Sequence, residues 1–272
     1  MAHGDVLREH ASQQKQPQQP QQRVPVTADK KQPGTGDALG SDPSRFRYLS
    51  TMSHELRTPI GAVLGYAELL ELCTAGPLTD LQRRYVSRLH ECADHLATIV
   101  SEVADLAKLE SGSLEVEQSE HEIGDGISAV LASAKPQAKS HDIVLVNKCD
   151  DTARRLRYIG DGGRVRQIIA NLVSNAIRST PSGGHVCLAC NGVDGRVNVS
   201  VTDSGSGIPE AQIQTVFQPF ARSENGFARP YGGTGLGLSV SRLLALLMGG
   251  DITVNSEQGL GSTFTLWLPA AA

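Results

Sequence analysis

"FRYLSTMSHELRTPIGAVLGYAELLE", residues 46–71, decides how the first half of this chain folds. Phe46, Leu49, Leu56, Ile60, Val63, Ala67 and Leu70 fall three, four or seven apart, which is the period of a helix with one apolar face. Two features sit awkwardly on it. An imidazole and an acid are adjacent at His54 and Glu55, and Pro59 has no N–H to offer the carbonyl of Glu55. The proline predicts a helix loosened and kinked beside the pair. A surface histidine near a kink is the bland reading of this stretch.

Moving outward, "CTAGPLTD" (73–80) breaks the pattern with Gly76 and Pro77. A second helix then carries Leu78, Tyr85, Leu89, Cys92, Leu96, Ile99, Val103 and Leu106 before Gly112 ends it. Two long helices joined by a short turn make an antiparallel hairpin over 43–112. So thin a unit leaves its apolar stripes bare, which predicts a homodimer in which two hairpins form a four-helix bundle. Upstream, residues 1–42 are dominated by Gln, Pro and Gly and have few large apolar side chains. They predict a disordered tail.

From residue 113 the texture turns to mixed α and β. Strands are predicted at "SLEVEQ" (113–118), "DIVLVNKC" (142–149), "HVCLAC" (185–190), "RVNVSVTD" (196–203), "DITVNSE" (251–257) and "STFTLWLP" (262–269). Helices are predicted at 122–140, at 163–179 after "RRLRYIG", and at 236–248. The fold class is therefore an all-α hairpin followed by an α+β two-layer sandwich over 113–269. Between Ile208 and Thr234 no period is sustained, and a loop of that length inside a compact domain is usually functional or disordered.

The totals exclude several classes. A chain of 272 residues with 39% hydrophobic content supports a real core, and a formal charge of −4 gives no reason to expect nucleic acid as a partner. No run of about 18 apolar residues is present, so no membrane segment is predicted, and the polar start does not read as a signal peptide. Five scattered cysteines point to a reducing compartment, with cytoplasmic as the default. Cys187 and Cys190 stand three apart on a predicted strand and so point to opposite faces. His90 and His95, five apart on a helix, do not make the i, i+4 pair of a zinc site.

Three segments carry chemistry. In "RVRQIIANLVSNAIRST" (164–180), Asn171 and Asn175 share a helix face and Arg178 lies on the same side. Amide oxygens suit a hard cation such as Mg²⁺, and an arginine suits phosphate. "VSVTDSGSGIPE" (199–210) ends a strand in Asp203, an acceptor able to read an exocyclic amine, followed by Gly205 and Gly207, which let backbone approach a flat base. "YGGTGLGLS" (231–239) sets Gly232, Gly233, Gly235 and Gly237 just before a helix, where free N–H groups bind phosphate. The spacing is not the G-x-G-x-x-G of a dinucleotide turn directly after a strand. The three segments together point to a nucleotide.

With these segments in hand, residues 44–269 resemble the sensor histidine kinases of two-component systems. "MSHELRTPI" (52–60) looks like the family's phosphoacceptor box, "NLVSNAIRST" (171–180) like its asparagine box, "DSGSGI" (203–208) and "GGTGLGL" (232–238) like its glycine boxes, and "FQPF" (217–220) like its phenylalanine box. The resemblance implies an ATP-binding fold shared with gyrase, MutL and the Hsp90 chaperones. It places Asp203 on adenine, Mg²⁺ on Asn171 and the ATP lid at 210–234. Arg178 stands where the family often has lysine, and Ser179 where it often has an aromatic.

By the same resemblance His54 is the nucleophile for the γ-phosphoryl group, and Glu55 accepts the ring N–H and raises the basicity of the attacking nitrogen. Thr58, one helical turn on, would orient water for dephosphorylation of the partner. The implied activity is an ATP-dependent histidine autokinase that hands phosphate to an aspartate on the receiver domain of a response regulator. Two alternatives are a non-catalytic, ATP-gated dimeric scaffold and a chaperone-like ATPase clamp. The second leaves His54, Glu55 and the hairpin without a purpose.

Overall fold

Helix α1 (Pro43–Glu71) continues through Pro59: the proline removes one backbone bond without ending the helix. A computed structural model of the chain describes residues 43–73, 76–221 and 234–271, with side chains described from Glu55 onward. The Gln- and Pro-rich tail at 1–42 lies outside the described residues. Helix α2 (Asp80–Glu110) starts with a capping box: Thr79 Oγ1 accepts from the Gln82 N–H at 3.3 Å, and Gln82 Oε1 accepts from the Thr79 N–H at 2.9 Å. It stops at Ser111, and Gly112 follows with φ of +64°, the left-handed residue that commonly terminates a helix.

The two helices meet along a narrow seam. Ile60 and Ala67 on α1 are buried, as are Val86, Ala93, Val100 and Ala107 on α2. Each set repeats every seven residues, the spacing of a coiled-coil contact line. A second heptad line, Leu56, Val63 and Leu70 on α1 with Leu89 and Leu96 on α2, remains 42–48% exposed. Among the stripe residues whose side chains are described, Ile60 and Ala67 of α1 are the buried ones.

The sandwich comprises β1 (Ser119–Glu122), α3 (Ile123–Ser140), β2 (Val144–Asn147), α4 (Asp151–Arg154), β3 (Arg157–Gly160), α5 (Gly162–Ser179), β4 (His185–Val193), β5 (Arg196–Asp203), α6 (Glu210–Ile213), α7 (Gly237–Leu247), β6 (Asp251–Glu257) and β7 (Gly261–Pro269). Five strands form one sheet in the order β2-β4-β5-β7-β6, antiparallel except for the β2–β4 pair, while β1 and β3 pair separately. One expected strand is displaced. Residues 113–118 are irregular, and the strand is the next four residues, "SEHE". Leu114 and Val116 alternate because both pack on the core, and the ladder forms where β3 offers a partner.

The core lies between one sheet face and α3, α5 and α7. Val197, Val199 and Val201 of β5 meet Leu188 of β4, Leu266 and Leu268 of β7, and Ile168, Ile169 and Leu172 of α5. The opposite sheet face is polar: Thr202 bonds Thr263 at 3.0 Å, and Trp267 Nε1 donates to Thr253 at 3.0 Å. A sheet with one apolar face needs one helical layer, hence two layers. The C-terminal half of α2 packs on this domain as well. Asp105, itself buried, accepts from Arg164 at 3.1 Å and from Gln167 at 2.7 Å.

Candidate functional site

Helix α5 sets the first wall. Asp161 caps it, its Oδ1 accepting from the N–H groups of Gly163 and Arg164 at 2.9 and 3.0 Å. Val165, Ile168, Ile169, Leu172, Val173, Ala176 and Ile177 turn into the core, so Asn171, Asn175 and Arg178 are left on another face. The three are joined. Asn175 Nδ2 donates to Asn171 Oδ1 at 3.4 Å, and Arg178 donates to Asn175 Oδ1. Asn171 Nδ2 donates to Ser241 of α7 at 2.8 Å, which fixes the amide so that its oxygen points toward Gly237. Burial lowers the pKa of Arg178, and the nearby Glu102 carboxylate opposes that shift.

Asp203 closes β5 on the same face as Val197, Val199 and Val201, because alternate residues of a strand share a face. Its carboxylate is therefore buried beneath the helical layer. It accepts from the backbone N–H of Gly205 at 2.8 Å and from that of Ser262, yet burial still raises its pKa. Gly205 and Gly207 have a packing role that the sequence reading did not give them. A Cβ on Gly205 would lie 2.5 Å from the Ser179 carbonyl oxygen, and Gly207 turns with φ of +64° against the Glu257 carbonyl.

The third wall is the start of α7. Leu236 occupies the N-cap position without a side-chain bond, so the first N–H groups of the helix receive no cap from it. Thr234 Oγ1 accepts from the Leu236 N–H at 3.0 Å, and Gly235 adopts φ of +74°. The Phe220 N–H donates to the Gly235 carbonyl at 2.9 Å, tying together the two ends of the segment that contains residues 222–233. Phe217 anchors the near end: it packs edge-on against Phe264 with centroids 6.3 Å apart, beneath the Arg242 guanidinium. Gly233 and residues 222–232 lie outside the described residues.

These walls bound a cleft of about 1990 Å³ between α2 and the sandwich. That is larger than a fitted ligand pocket of about 300–1,000 Å³, so the cleft is a groove between two units. Asn175, Arg178, Asp203, Gly207, Gly235 and Gly237 line it. Asn171 stands behind Gly237: a Cβ there would fall 2.5 Å from its Oδ1. Glu55 and Thr58 are exposed on α1, and neither lines the cleft. The side chain of His54 lies outside the described residues. The structure thus gathers the sandwich residues into one place and leaves the hairpin residues apart from them.

A family model of the histidine kinase-, DNA gyrase B- and HSP90-like ATPase matches residues 160–272, and a model of the His Kinase A (phospho-acceptor) domain matches residues 44–112. The chain belongs to the two-component sensor histidine kinases. Among similar histidine kinases, the circadian input-output histidine kinase CikA of Thermosynechococcus vestitus is 39% identical over 82% of this chain and 31% of its own length. The histidine protein kinase DivJ of Caulobacter vibrioides is 32% identical over 86% of this chain and 38% of its own. The full-length ShkA structure in complex with AMPPNP superposes with a TM-score of 0.65 and 33% identity, over 83% of this chain and 46% of that one. The chain spans about a third of the length of the curated relatives it matches. Among the described residues no helix is long and apolar enough to cross a membrane.

Set in this histidine kinase family, the residues that sequence reasoning missed are those joining the two units. Glu102 of α2 accepts from Thr234 Oγ1 at 2.5 Å, and burial raises its pKa. His95, also facing the cleft from α2, has its pKa lowered by burial and then by Arg178. Ser241 orients Asn171. Nothing local marks these residues: Glu102 follows Ser101 on a helix rich in acids, and its importance arises from a contact 132 residues away in sequence.

Proposed function

We propose that this chain is an ATP-dependent histidine autokinase that phosphorylates its own His54 and passes the phosphoryl group to an aspartate of a response-regulator receiver domain. The observation that carries the reading is the convergence of Asn175, Arg178, Asp203 and the uncapped start of α7 on one cleft, in a chain whose other unit matches a phosphoacceptor domain. Asp203 offers a desolvated carboxylate to an exocyclic amine, and Arg178 offers positive charge to phosphates. The N–H groups of the α7 start serve the same phosphates.

Mg²⁺ fits the donor set on one count. Asn171 presents a neutral amide oxygen in a fixed orientation, and among the described residues no cluster of three or more His, Cys, Asp or Glu competes with it. A hard cation held by one amide would complete its shell with phosphate oxygens and water, and it would neutralise charge on the triphosphate. His54 would attack the γ-phosphorus through one ring nitrogen while Glu55 holds the other as N–H, so an N–P bond forms as the bond to ADP breaks.

The second heptad line supports a homodimer. Leu56, Val63, Leu70, Leu89 and Leu96 form an apolar strip that a second copy would cover in a four-helix bundle. Cytoplasmic residence accords with an odd number of cysteines scattered along the chain. In such a dimer Thr58 would sit one turn from His54, placed to orient water for a phosphatase reaction.

The test is incubation with γ-labelled ATP. Wild-type protein should acquire label that is labile to acid and stable to alkali. His54→Gln should acquire none while binding nucleotide as tightly as before. Steady ATP hydrolysis without labelled protein, or label persisting on His54→Gln, would overturn the reading.

A further inference from the structure

Glu102 reaches from α2 across the cleft to the residues proposed for phosphate. Its Oε2 accepts from Thr234 Oγ1 at 2.5 Å, and that hydroxyl in turn accepts from the Leu236 N–H at 3.0 Å. Its other oxygen lies 2.9 Å from where a Cβ on Gly237 would stand, directly over the first residue of α7. The Arg178 guanidinium is its electrostatic partner. One carboxylate thus bonds a glycine-loop hydroxyl, lies over a helix start and sits within the field of an arginine. Carboxylate and phosphate oxygens are both anionic acceptors, and a helix start with an arginine beside it suits either.

We infer that Glu102 is an internal anion occupying the polyphosphate subsite, so that nucleotide binds only as its phosphates displace α2's carboxylate. The inference rests on the ATP reading of the cleft given above. Asp105, one turn further along α2, bonds Arg164 and Gln167 on the outer end of α5, away from the glycine loop. Its bonds hold α2 against the sandwich without help from Glu102. The two contacts therefore divide the work: Asp105 fastens the units together and Glu102 fills the site. Displacing Glu102 removes a polar tie between α2 and the sandwich, which couples nucleotide arrival to release of the hairpin. By linkage the coupling runs both ways, and anything that pulls α2 off the sandwich favours nucleotide.

The experiment measures the affinity of adenosine, ADP and ATP for the full chain in the presence of Mg²⁺, for wild type, Glu102→Ala and the isosteric Glu102→Gln. Adenosine has the base but no phosphate, so it reports on the Asp203 side alone. ADP and ATP should bind about tenfold more tightly to Glu102→Ala, the scale of one charged hydrogen bond, with a smaller gain for Glu102→Gln and no change for adenosine. Unchanged ratios of ATP to adenosine affinity in both variants would sink the inference while leaving the ATP reading intact. Weaker ATP binding at constant adenosine affinity would also overturn it, because Glu102 would then recruit the cation instead of excluding the phosphates. Wild-type protein that binds neither adenosine nor ATP would remove the ATP reading and this inference with it.

Discussion

The hairpin and the sandwich bury their apolar residues on different terms. In the sandwich, Ile168, Ile169, Leu188, Leu244 and Leu266 are fully enclosed, and the helical layer satisfies the whole apolar face of the sheet. In the hairpin the buried seam is made mostly of small or short side chains, Ala67, Ala93, Val86 and Val100 beside Ile60, while the large residues Leu56, Leu70, Leu89 and Leu96 remain 42–48% exposed. Exposure of a single leucine is ordinary, but a continuous heptad line of them is an unfilled interface. The sandwich is a finished core. The hairpin leaves a heptad strip uncovered, and on the proposed dimer the sandwich should withstand dilution while the hairpin should not.

The largest effect expected from this contrast is Leu188→Ala, which leaves a cavity in the middle of the sheet. It should cost about 2–5 kcal/mol of unfolding free energy, measurable by denaturant titration of the sandwich transition. Leu96→Ser is its counterpart on the hairpin. A symmetric interface counts each substitution twice, so about a hundredfold weaker dimerisation follows from the lost burial, with the sandwich transition unmoved. Sedimentation equilibrium across a dilution series would measure it. A dimer of unchanged strength would mean that the strip faces something other than a second copy.

Much of this was legible in the sequence because periodic patterns are local. The hairpin boundaries follow from a 3–4 alternation bracketed by Gly76, Pro77 and Gly112, and β5 follows from alternating valines that end in Asp203. What escaped has a physical cause. "SLEVEQ" alternates like a strand because buried Leu114 and half-buried Val116 both pack on the core, and burial alternates whether or not a ladder partner is present. The buried seam of α1 and α2 was not read from the sequence, because small residues such as Ala93 carry little apolar signal, although small side chains are what allow two helices to approach. Glu102, Thr234 and Ser241 matter through contacts across the chain, and no window of sequence contains both partners. Gly205 and Gly207 were read only for the approach of a base, yet protein carbonyls crowd both positions, a long-range contact that no local pattern shows.

Asp203→Asn sharpens the contrast between stability and function within the sandwich itself. Burial holds the Asp203 carboxyl above its ordinary value, so the folded state favours its protonated form. The stability it contributes is full below the unfolded value of 3.8 and is lost as pH rises through the raised folded value. At neutral pH the wild type therefore bears the cost of a buried charge that asparagine lacks. The variant should be at least as stable there, with its advantage vanishing as pH falls below about 4. Nucleotide affinity should drop about tenfold, since an asparagine oxygen is the weaker acceptor for the adenine amine. Thermal unfolding across pH, paired with adenosine titration, measures both. Unchanged adenosine affinity would remove Asp203 from the base site.

The smallest effect is expected at Thr58, an exposed residue of α1. Its side chain is exposed, it lies four residues after His54 and hence on the same helical face, and it immediately precedes Pro59. Two roles compete for it. As a water-orienting hydroxyl it would serve only dephosphorylation of the regulator. As a pre-proline residue it would help set the backbone, since the α conformation is disfavoured before proline and yet α1 holds it there. Alanine removes the hydroxyl and leaves the backbone preference largely as it was, with a slightly better helix former. Thr58→Ala should therefore slow dephosphorylation by roughly three- to tenfold, the scale of one neutral hydrogen bond, while autophosphorylation stays within a factor of about two. Serine, which restores the hydroxyl without the methyl, should recover the rate. A parallel fall in both activities, unrescued by serine, would make Thr58 part of the helix and no part of the water site. The contrast between the two units would then hold one step further: the sandwich would carry chemistry on side chains fixed by a core, and the hairpin on His54 and Glu55 alone.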